Sequence, residues 1–162
     1  LCKMRDDAAL VLIGKGELEE DIRAKVERLG LADKVLFLGN RFDVERYYQA
    51  FDYFVFPSTF EGLPGSVVEA QASGLSCLVS DQVTRETELT ELVTYKSIGE
   101  PAANWAAEIM RNAKAALQRS DMQAAIAGRD FDVREQAVKM EAFYVTGKNP
   151  PGAVTRVPDK GE

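Results

Sequence analysis

Short aliphatic runs alternate along this chain with stretches in which apolar residues recur at helical spacing. The aliphatic runs are Ala8–Ile13, Val35–Leu38, Tyr53–Phe56 and Leu75–Ser80. After the first run, apolar residues from Leu18 to Leu29 recur every three or four positions, and charged residues fill the opposite face. Strands that are aliphatic on both faces and alternate with helices are typical of a parallel sheet covered on both sides. The pattern predicts an α/β fold with a Rossmann-like, doubly wound parallel sheet.

Glycine and proline residues mark the ends of the predicted helices. Gly30 and Gly74 each follow the last apolar position of a helix, where a left-handed glycine commonly ends one. Pro101 is expected to start a long helix, because proline is tolerated at the first helical position. The other predicted helices span Asp43–Ala50, Ser66–Ser73, Met122–Ile126 and Val133–Tyr144. The helices after Pro101 should wrap the sheet.

The length and composition are those of one ordinary domain. The 162 residues are 46% hydrophobic, which is enough to bury a core. The net charge of −6 argues against a surface that binds nucleic acid or anionic lipid, since either needs clustered Lys and Arg. Two distant cysteines, Cys2 and Cys77, are typical of a reduced intracellular protein. The absence of histidine removes Ser-His-Asp triads and most zinc sites.

Two glutamates, Glu61 and Glu69, stand eight positions apart where a predicted strand gives way to a helix. Pro57 ends the strand, and residues 62–65 form a turn rich in glycine and proline. Ser66 followed by Glu69 fits a capping box, which would place the first N–H groups of the helix at the mouth of the loop. A helix start of this kind binds anions, phosphates above all. The segment therefore predicts a ligand site.

Three loops that contain glycine are expected at the same edge of the sheet. They are Gly14–Glu17, Gly39–Arg41 and Ser58–Ser66, and each follows a predicted strand. In open α/β sheets, ligands bind outside the carboxyl ends of the strands. The first loop is too short for a phosphate loop of the GxxxxGK[ST] kind, but its glycines allow close approach to a ligand. One cleft is expected to collect all three loops.

The stretch Tyr53–Asp81, YFVFPSTFEGLPGSVVEAQASGLSCLVSD, resembles the Glu-x7-Glu signature of the family-4 retaining glycosyltransferases of GT-B fold. The likeness runs from Leu10 to about Tyr144 and includes GKGE at Gly14–Glu17 and LGLADKVLFLGNRFDV at Leu29–Val44. It implies the C-terminal half of a GT-B enzyme, with residues 1–145 as an N-terminally truncated domain that binds the nucleotide-sugar donor. The implied enzyme is a hexosyltransferase that acts on a glycan. The EGLPGSVVEAQASG stretch is most similar to transferases that build bacterial capsular polysaccharides and exopolysaccharides.

The same resemblance implies a role for each residue of the site. Glu61 would be the catalytic residue that contacts the donor sugar, and Glu69 would accept the two ribose hydroxyls of the nucleotide. The amides of Leu63–Ser66 would stabilise charge that grows on the leaving diphosphate. The full set expected to bind the donor is Gly14, Lys15, Gly16, Leu38, Gly39, Arg41, Gly62, Leu63, Pro64, Gly65, Ser66 and Glu69. Lys15 and Arg41 are its only cations, and an ordinary solvated charge is an equal alternative for each.

Partners, cofactors and location are likewise implied by the resemblance. The donor is expected to be a UDP or GDP sugar with no obligatory metal, and the acceptor a glycan or lipid-linked glycan bound by an absent N-terminal domain. If the family strand order applies, a central strand is missing, which predicts either a domain-swapped homodimer or a sheet of altered order. The isolated fragment is expected to be inactive. The expected location is cytoplasmic, with contact to the inner face of the membrane through the missing half, and residues 146–162 are expected to form a mobile tail.

Two other functions stay open. A non-catalytic nucleotide-sugar-binding module would use the same residues without transfer. A GT-B-like nucleotide-sugar epimerase would need His and basic residues that this chain lacks. Asp130 and Asp132 match an Asp-x-Asp metal motif, but Asp132 followed by Glu135 is better explained as the N-cap of the last helix.

Overall fold

The computed structural model of this chain describes residues 1–116 and 119–148, without the side chains of residues 113–116. Its strands are β1 (Leu10–Ile13), β2 (Val35–Gly39), β3 (Phe54–Phe56), β4 (Cys77–Ser80) and β5 (Val93–Lys96). Its helices are α1 (Glu19–Arg28), α2 (Val44–Ala50), α3 (Gly65–Ala72), α4 (Ala102–Ala116), α5 (Gln123–Ile126) and α6 (Val133–Thr146). The predicted strands and helices are confirmed, with small shifts at their ends. The expected tail lies outside the described residues from residue 149 onwards.

The strands form two parallel sheets in place of the single sheet that was expected. β1 pairs with β2, from Leu10 opposite Val35 to Ile13 opposite Gly39. β4 lies between β3 and β5 in a sheet of its own. Within the described residues no strand joins β1 to β3, so each of these two strands has one paired edge only. The α/β class and the parallel direction of the strands are confirmed.

The hydrophobic core belongs to the sheet of β3, β4 and β5. Its buried members are Tyr48, Val67, Ala70, Leu75, Cys77, Val79, Val83 and Val93. No side chain among residues 1–47 is buried, although β1, α1 and β2 are all present there. The second sheet and its helices therefore hold most of the apolar area that this chain removes from water.

Helix α3 is the element of this core that also reaches the candidate site. Its residues Val67, Ala70 and Gln71 are fully buried, while Glu69 is exposed. The helix packs against β3 and β4, and it also contacts α2 and α5. Because one face of α3 is fixed in the core, the helix gives the exposed Glu69 side chain a firm support.

The helices that follow β5 differ in how they pack. In α4, Trp105 and Ala106 are buried, and the Trp105 indole donates a hydrogen bond to the Ser97 carbonyl at 3.0 Å. α5 packs on α3, and its Ile126 is buried. The expectation that α6 wraps the sheet is wrong, since no residue of α6 is buried. Among the described residues, no helix is long and apolar enough to cross a membrane.

Candidate functional site

Glu61 is held at the carboxyl edge of the second sheet by its backbone. It forms an isolated parallel bridge with Val83, which lies just after β4. Its carboxylate accepts a hydrogen bond from the Ser58 hydroxyl at 3.2 Å, and the side chain is exposed. No ion pair within the described residues involves Glu61. The carboxylate is thus fixed in place yet free to accept further hydrogen bonds.

The start of α3 lies beside Glu61 but is built differently from the expected capping box. The helix begins at Gly65, and Pro64 is its N-cap, with no side-chain cap. Ser66 therefore lies inside the helix, where its hydroxyl cannot cap the first turn. The Pro64 carbonyl instead accepts from the Val67 amide at 3.1 Å. The predicted capping box is wrong because the N-cap is Pro64, two positions before the Ser66 that the pattern implied.

The backbone N–H groups at this helix start differ in whether they already have a hydrogen-bond partner. Pro64 has no N–H group, and the Val67 N–H is already bonded to Pro64. The first N–H groups of a helix have no partner within it, which leaves those of Gly65 and Ser66. The Leu63 side chain is 47% exposed in the preceding loop, and Gly65 is also exposed. Of the expected amides, Leu63, Gly65 and Ser66 can donate to an anion at this edge.

Glu69 stands in the second turn of α3 and faces the neighbouring helix α2. The hydroxyl of Tyr48 on α2 lies near its carboxylate, and the Tyr48 side chain is only 4% exposed. Burial, together with the Glu69 charge, raises the pKa of Tyr48 above its usual value. Tyr48 therefore stays a protonated hydroxyl beside Glu69 at neutral pH.

Of the residues expected from the first sheet, Gly14, Lys15 and Gly39 lie close together. The Gly14 amide donates to the Gly39 carbonyl at 2.9 Å, which ties the two loops at the ends of β1 and β2. Gly14 and Gly39 both adopt positive φ, at 124° and 62°. A Cβ at Gly39 would lie 3.5 Å from the Lys15 side chain, so Lys15 extends across this glycine. Arg41 is exposed just after β2, and Leu38 precedes Gly39 within the strand.

The site residues thus form two groups, one on each sheet. The first contains Gly14, Lys15, Gly16, Leu38, Gly39 and Arg41, and the second contains Glu61, Gly62, Leu63, Pro64, Gly65, Ser66 and Glu69. Within the part of the chain that the structure describes, no hydrogen bond or ion pair joins the two groups. The single cleft that would collect all the loops stays a prediction.

Two features near the site were missed from the sequence. Lys96 ends β5 at the same edge as Glu61, but it pairs with Glu100 at 3.0 Å and its side chain is 14% exposed. Gln71 is fully buried on α3, and its side-chain amide makes hydrogen bonds to the backbone of Val67, Thr87 and Leu89. The signal for Gln71 was its spacing, since it falls four positions after Val67 on the apolar face of the helix.

A surface hollow of about 550 Å³ lies elsewhere in the molecule. Its lining residues are Arg85, Glu88, Leu89, Thr90, Glu91, Ala125 and Arg129. None of the expected site residues contributes to it. Glu91 lies just before β5, so this hollow adjoins the amino end of that strand, away from the edge that carries the two glutamates.

The Asp-x-Asp pattern has a structural explanation for both of its members. Asp132 is the N-cap of α6, and its carboxylate accepts from the Arg134 amide at 2.8 Å. Asp130 pairs with Lys139, and this contact lowers the pKa of its carboxyl. The N-cap prediction is confirmed.

A family model described as "Glycosyl transferases group 1" matches residues 1–111. EpsF of Bacillus subtilis (strain 168), which carries the name of a glycosyltransferase, is 39% identical over 137 residues. That match covers 83% of this chain and 36% of EpsF. The chain therefore spans about a third of the length of this relative.

Two further matches name nucleotide sugars. An Escherichia coli protein named UDP-Gal:alpha-D-GlcNAc-diphosphoundecaprenol alpha-1,3-galactosyltransferase is 40% identical over 76 residues, which are 46% of this chain and 20% of that protein. The crystal structure of HepE from Anabaena in complex with UDP-glucose matches with a TM-score of 0.65 and 26% identity. It covers 83% of this chain and 40% of the HepE chain.

Proposed function

Since this chain belongs to the family of glycosyl transferases of group 1, we propose that it forms the donor-binding part of a retaining enzyme. The reaction transfers a hexose from a nucleoside diphosphate to a hydroxyl of a glycan in surface polysaccharide biosynthesis. The observation that carries the proposal is that Glu61 and Glu69 are both supported by the second sheet: Glu61 pairs with Val83 just after β4, and Glu69 lies on α3, which packs on β3 and β4. Both carboxylates are exposed, and neither is used in an ion pair within the described residues.

Each group of the site has one role in the proposed complex. Glu69 accepts the two ribose hydroxyls, while Glu61 accepts hydroxyls of the donor sugar and positions it for transfer. The Leu63, Gly65 and Ser66 amides donate to the diphosphate, where they stabilise the charge that develops as the sugar leaves. A charge-assisted hydrogen bond of this kind contributes ~1.5–3 kcal/mol.

The diphosphate also needs positive charge, because two carboxylates beside it are repulsive. Lys15 and Arg41 are the cations of the first group of loops, and both are exposed. We assign the remaining donor contacts to Gly14, Gly16, Gly39 and Leu38, whose backbone groups approach the nucleotide. With charge supplied in this way the reaction needs no obligatory metal.

Support for the donor and acceptor comes from the relatives. HepE was solved with UDP-glucose, which favours a UDP sugar as the donor over a GDP sugar. The Escherichia coli relative is named for an acceptor on diphosphoundecaprenol, which favours a lipid-linked glycan here. We propose that the enzyme works in the cytoplasm, in contact with the inner face of the membrane. The acceptor would be bound outside the described residues, so these residues alone should not catalyse transfer.

Calorimetric titration of the intact protein tests the two glutamates separately. Glu69→Gln should weaken UDP binding by about tenfold or more, because one or two charge-assisted bonds are lost. Glu61→Gln should leave UDP binding unchanged and weaken UDP-glucose binding. Glu141→Gln, on the exposed helix α6, is the control and should bind like the wild type.

The affinity of the Glu69→Gln variant for UDP can contradict the proposal. If Glu69→Gln binds UDP as tightly as the wild type does, the ribose role is wrong. Transfer is tested on a protein that contains this chain together with an acceptor-binding domain, with UDP-glucose and a lipid-linked glycan, and the anomeric configuration of the product is read by NMR. Retention of configuration is the expected result. Donor binding by that longer protein without any transfer would instead favour a non-catalytic binding module.

A further inference from the structure

Gln71 connects α3 to the segment that precedes β5 through hydrogen bonds. Its side-chain nitrogen donates to the Val67 carbonyl at 3.1 Å and to the Thr87 carbonyl at 2.7 Å. Its side-chain oxygen accepts from the Leu89 and Thr90 amides and from the Thr90 hydroxyl, all within 3.1 Å. The side chain has no exposure to solvent. Every polar group of this amide is therefore used inside the protein.

The same network continues towards the backbone that holds Glu61. The Thr87 hydroxyl donates to the Thr84 carbonyl at 2.7 Å and lies 2.8 Å from the Tyr95 hydroxyl. Tyr95 in turn donates to the Thr84 carbonyl at 3.1 Å. Thr84 directly follows Val83, the residue whose backbone pairs with Glu61. One polar network thus reaches from the helix of Glu69 to the strand partner of Glu61.

A buried amide is not needed merely to fill this space. Apolar side chains of similar size would fill the same volume, and a buried polar group is favourable only when all its bonds are made. Apolar contacts are non-directional, so a helix held by them alone could shift along the sheet. Hydrogen bonds fix distance and direction. Gln71 therefore restricts how α3 can move relative to residues 83–90.

We propose that Gln71 is a positioning residue of the donor site, which sets the spacing of the Glu61 and Glu69 carboxylates through Thr87 and Thr84. This inference rests on the proposed function, because it requires that one donor engages both glutamates. The spacing of the two carboxylates would decide how well the site distinguishes ligands that differ in the ribose or the sugar. If the spacing is lost, the donor still binds through its phosphates, but the ribose and sugar contacts cannot both be made.

The test measures two affinity ratios on the intact protein by calorimetry. The ribose ratio is the Kd of 2′-deoxy-UDP divided by the Kd of UDP, and it reports the Glu69 contact to ribose. The sugar ratio is the Kd of UDP divided by the Kd of UDP-glucose, and it reports the Glu61 contact to the sugar. Partial unfolding weakens the binding of both ligands of a pair by the same factor. A merely structural defect therefore leaves each ratio unchanged. Gln71→Met should lower the ribose ratio by about threefold or more, since part of a charge-assisted bond is lost.

A matched control separates positioning from stability. Leu78→Ala truncates a fully buried residue of β4 that makes no bond to Gln71, and it should destabilise the protein while keeping both ratios. If Gln71→Met does not fold, Thr87→Val removes only the hydroxyl that leads to Thr84, and it should lower the sugar ratio. Wild-type ratios in the folded Gln71 and Thr87 variants would overturn the inference alone. A wild-type protein that binds neither UDP nor UDP-glucose would overturn the proposed function as well.

Discussion

At the scale of single residues, the buried Cys77 makes the stability of the protein depend on pH. Its side chain is fully buried on β4, and this burial raises the pKa of the thiol from 9.0 to about 12. Between these values the unfolded chain loses a proton that the folded chain keeps, so stability falls as pH rises through this range. Well below pH 9.0 both states hold the proton and the contribution is constant.

Urea denaturation at pH 8 and pH 10.5 should therefore show an alkaline loss of stability that depends on Cys77. The Cys77→Ala variant is expected to be less stable at pH 8, because a small cavity forms, yet to lose less between the two pH values. Cys2→Ala is the control and should lose as much as the wild type, since Cys2 is not buried. The same alkaline loss in wild type and Cys77→Ala would contradict this account.

Gly74 and Gly30 provide a matched pair for the cost of a side chain at a left-handed position. Their φ values are close, at +70° and +64°. A Cβ at Gly74 would meet the Ser120 backbone oxygen at 2.3 Å, whereas one at Gly30 would meet nothing within 4 Å. Gly30→Ala should cost ~1–2 kcal/mol in free energy of unfolding, from the backbone alone. Gly74→Ala should cost more, because the backbone of residue 120 must move, and equal losses in chemical denaturation would contradict this.

The residues of the candidate site show what sequence can and cannot predict. The sequence predicted that Glu61 follows a strand and that Glu69 lies near a helix start, and the structure has both, because such placements are fixed locally. That the two carboxylates engage one ligand stays a prediction. Ser66 was misplaced because a capping pattern does not say whether Pro64 can serve as the N-cap two positions earlier. Gln71 was missed because its partners lie in the segment that follows β4, and no local pattern reveals such contacts.

At the scale of helices and strands, the aliphatic runs predicted four of the five strands. β5 was missed because it alternates Val93 and Tyr95 with Thr94 and Lys96, a short pattern that also suits a loop. The packing of α6 was predicted wrongly, since helical periodicity tells that a helix forms but not which surface covers it. Apolar residues such as Val133, Val138 and Val145 are more than half exposed on this helix.

The start of α6 gives a prediction at this scale. Asp132 accepts from the Arg134 amide at 2.8 Å and from the Glu135 amide at 3.4 Å. Asp132→Ala should cost ~1 kcal/mol, while Asp132→Asn should be nearly neutral because its amide oxygen still caps the helix. Helicity by circular dichroism and urea denaturation check both. A metal-binding role would give a different result, with a divalent cation stabilising the wild type but neither variant.

At the scale of the whole molecule, the two sheets are unequal in burial. The first sheet and the two ends of α1 leave large apolar side chains in contact with water, among them Leu10, Leu18, Leu29 and Leu36. Parallel sheets are normally covered on both faces, so this half is incomplete as a packed layer. A strand with one unpaired edge also offers N–H and C=O groups to another chain. The domain-swapped homodimer stays a prediction that these exposed edges support.

Unequal burial should appear as unequal protection in native-state hydrogen exchange. The amides of β4 lie in the centre of a three-stranded sheet whose Leu78 and Val79 are fully buried, so they should exchange only through global unfolding. The amides of β1 and β2 are paired with each other, but no buried side chain supports them. They should exchange through local opening at a lower free energy.

Mass spectrometry of peptides from the two regions measures this difference directly. Added urea should speed exchange in β4 more steeply than in β1 and β2, because global unfolding exposes more surface than local opening does. Protection that is equal in both regions at low protein concentration would show that the first sheet is as stable as the second. Protection of β1 that rises with protein concentration would indicate instead that a second copy of the chain covers its free edge, since only association depends on concentration.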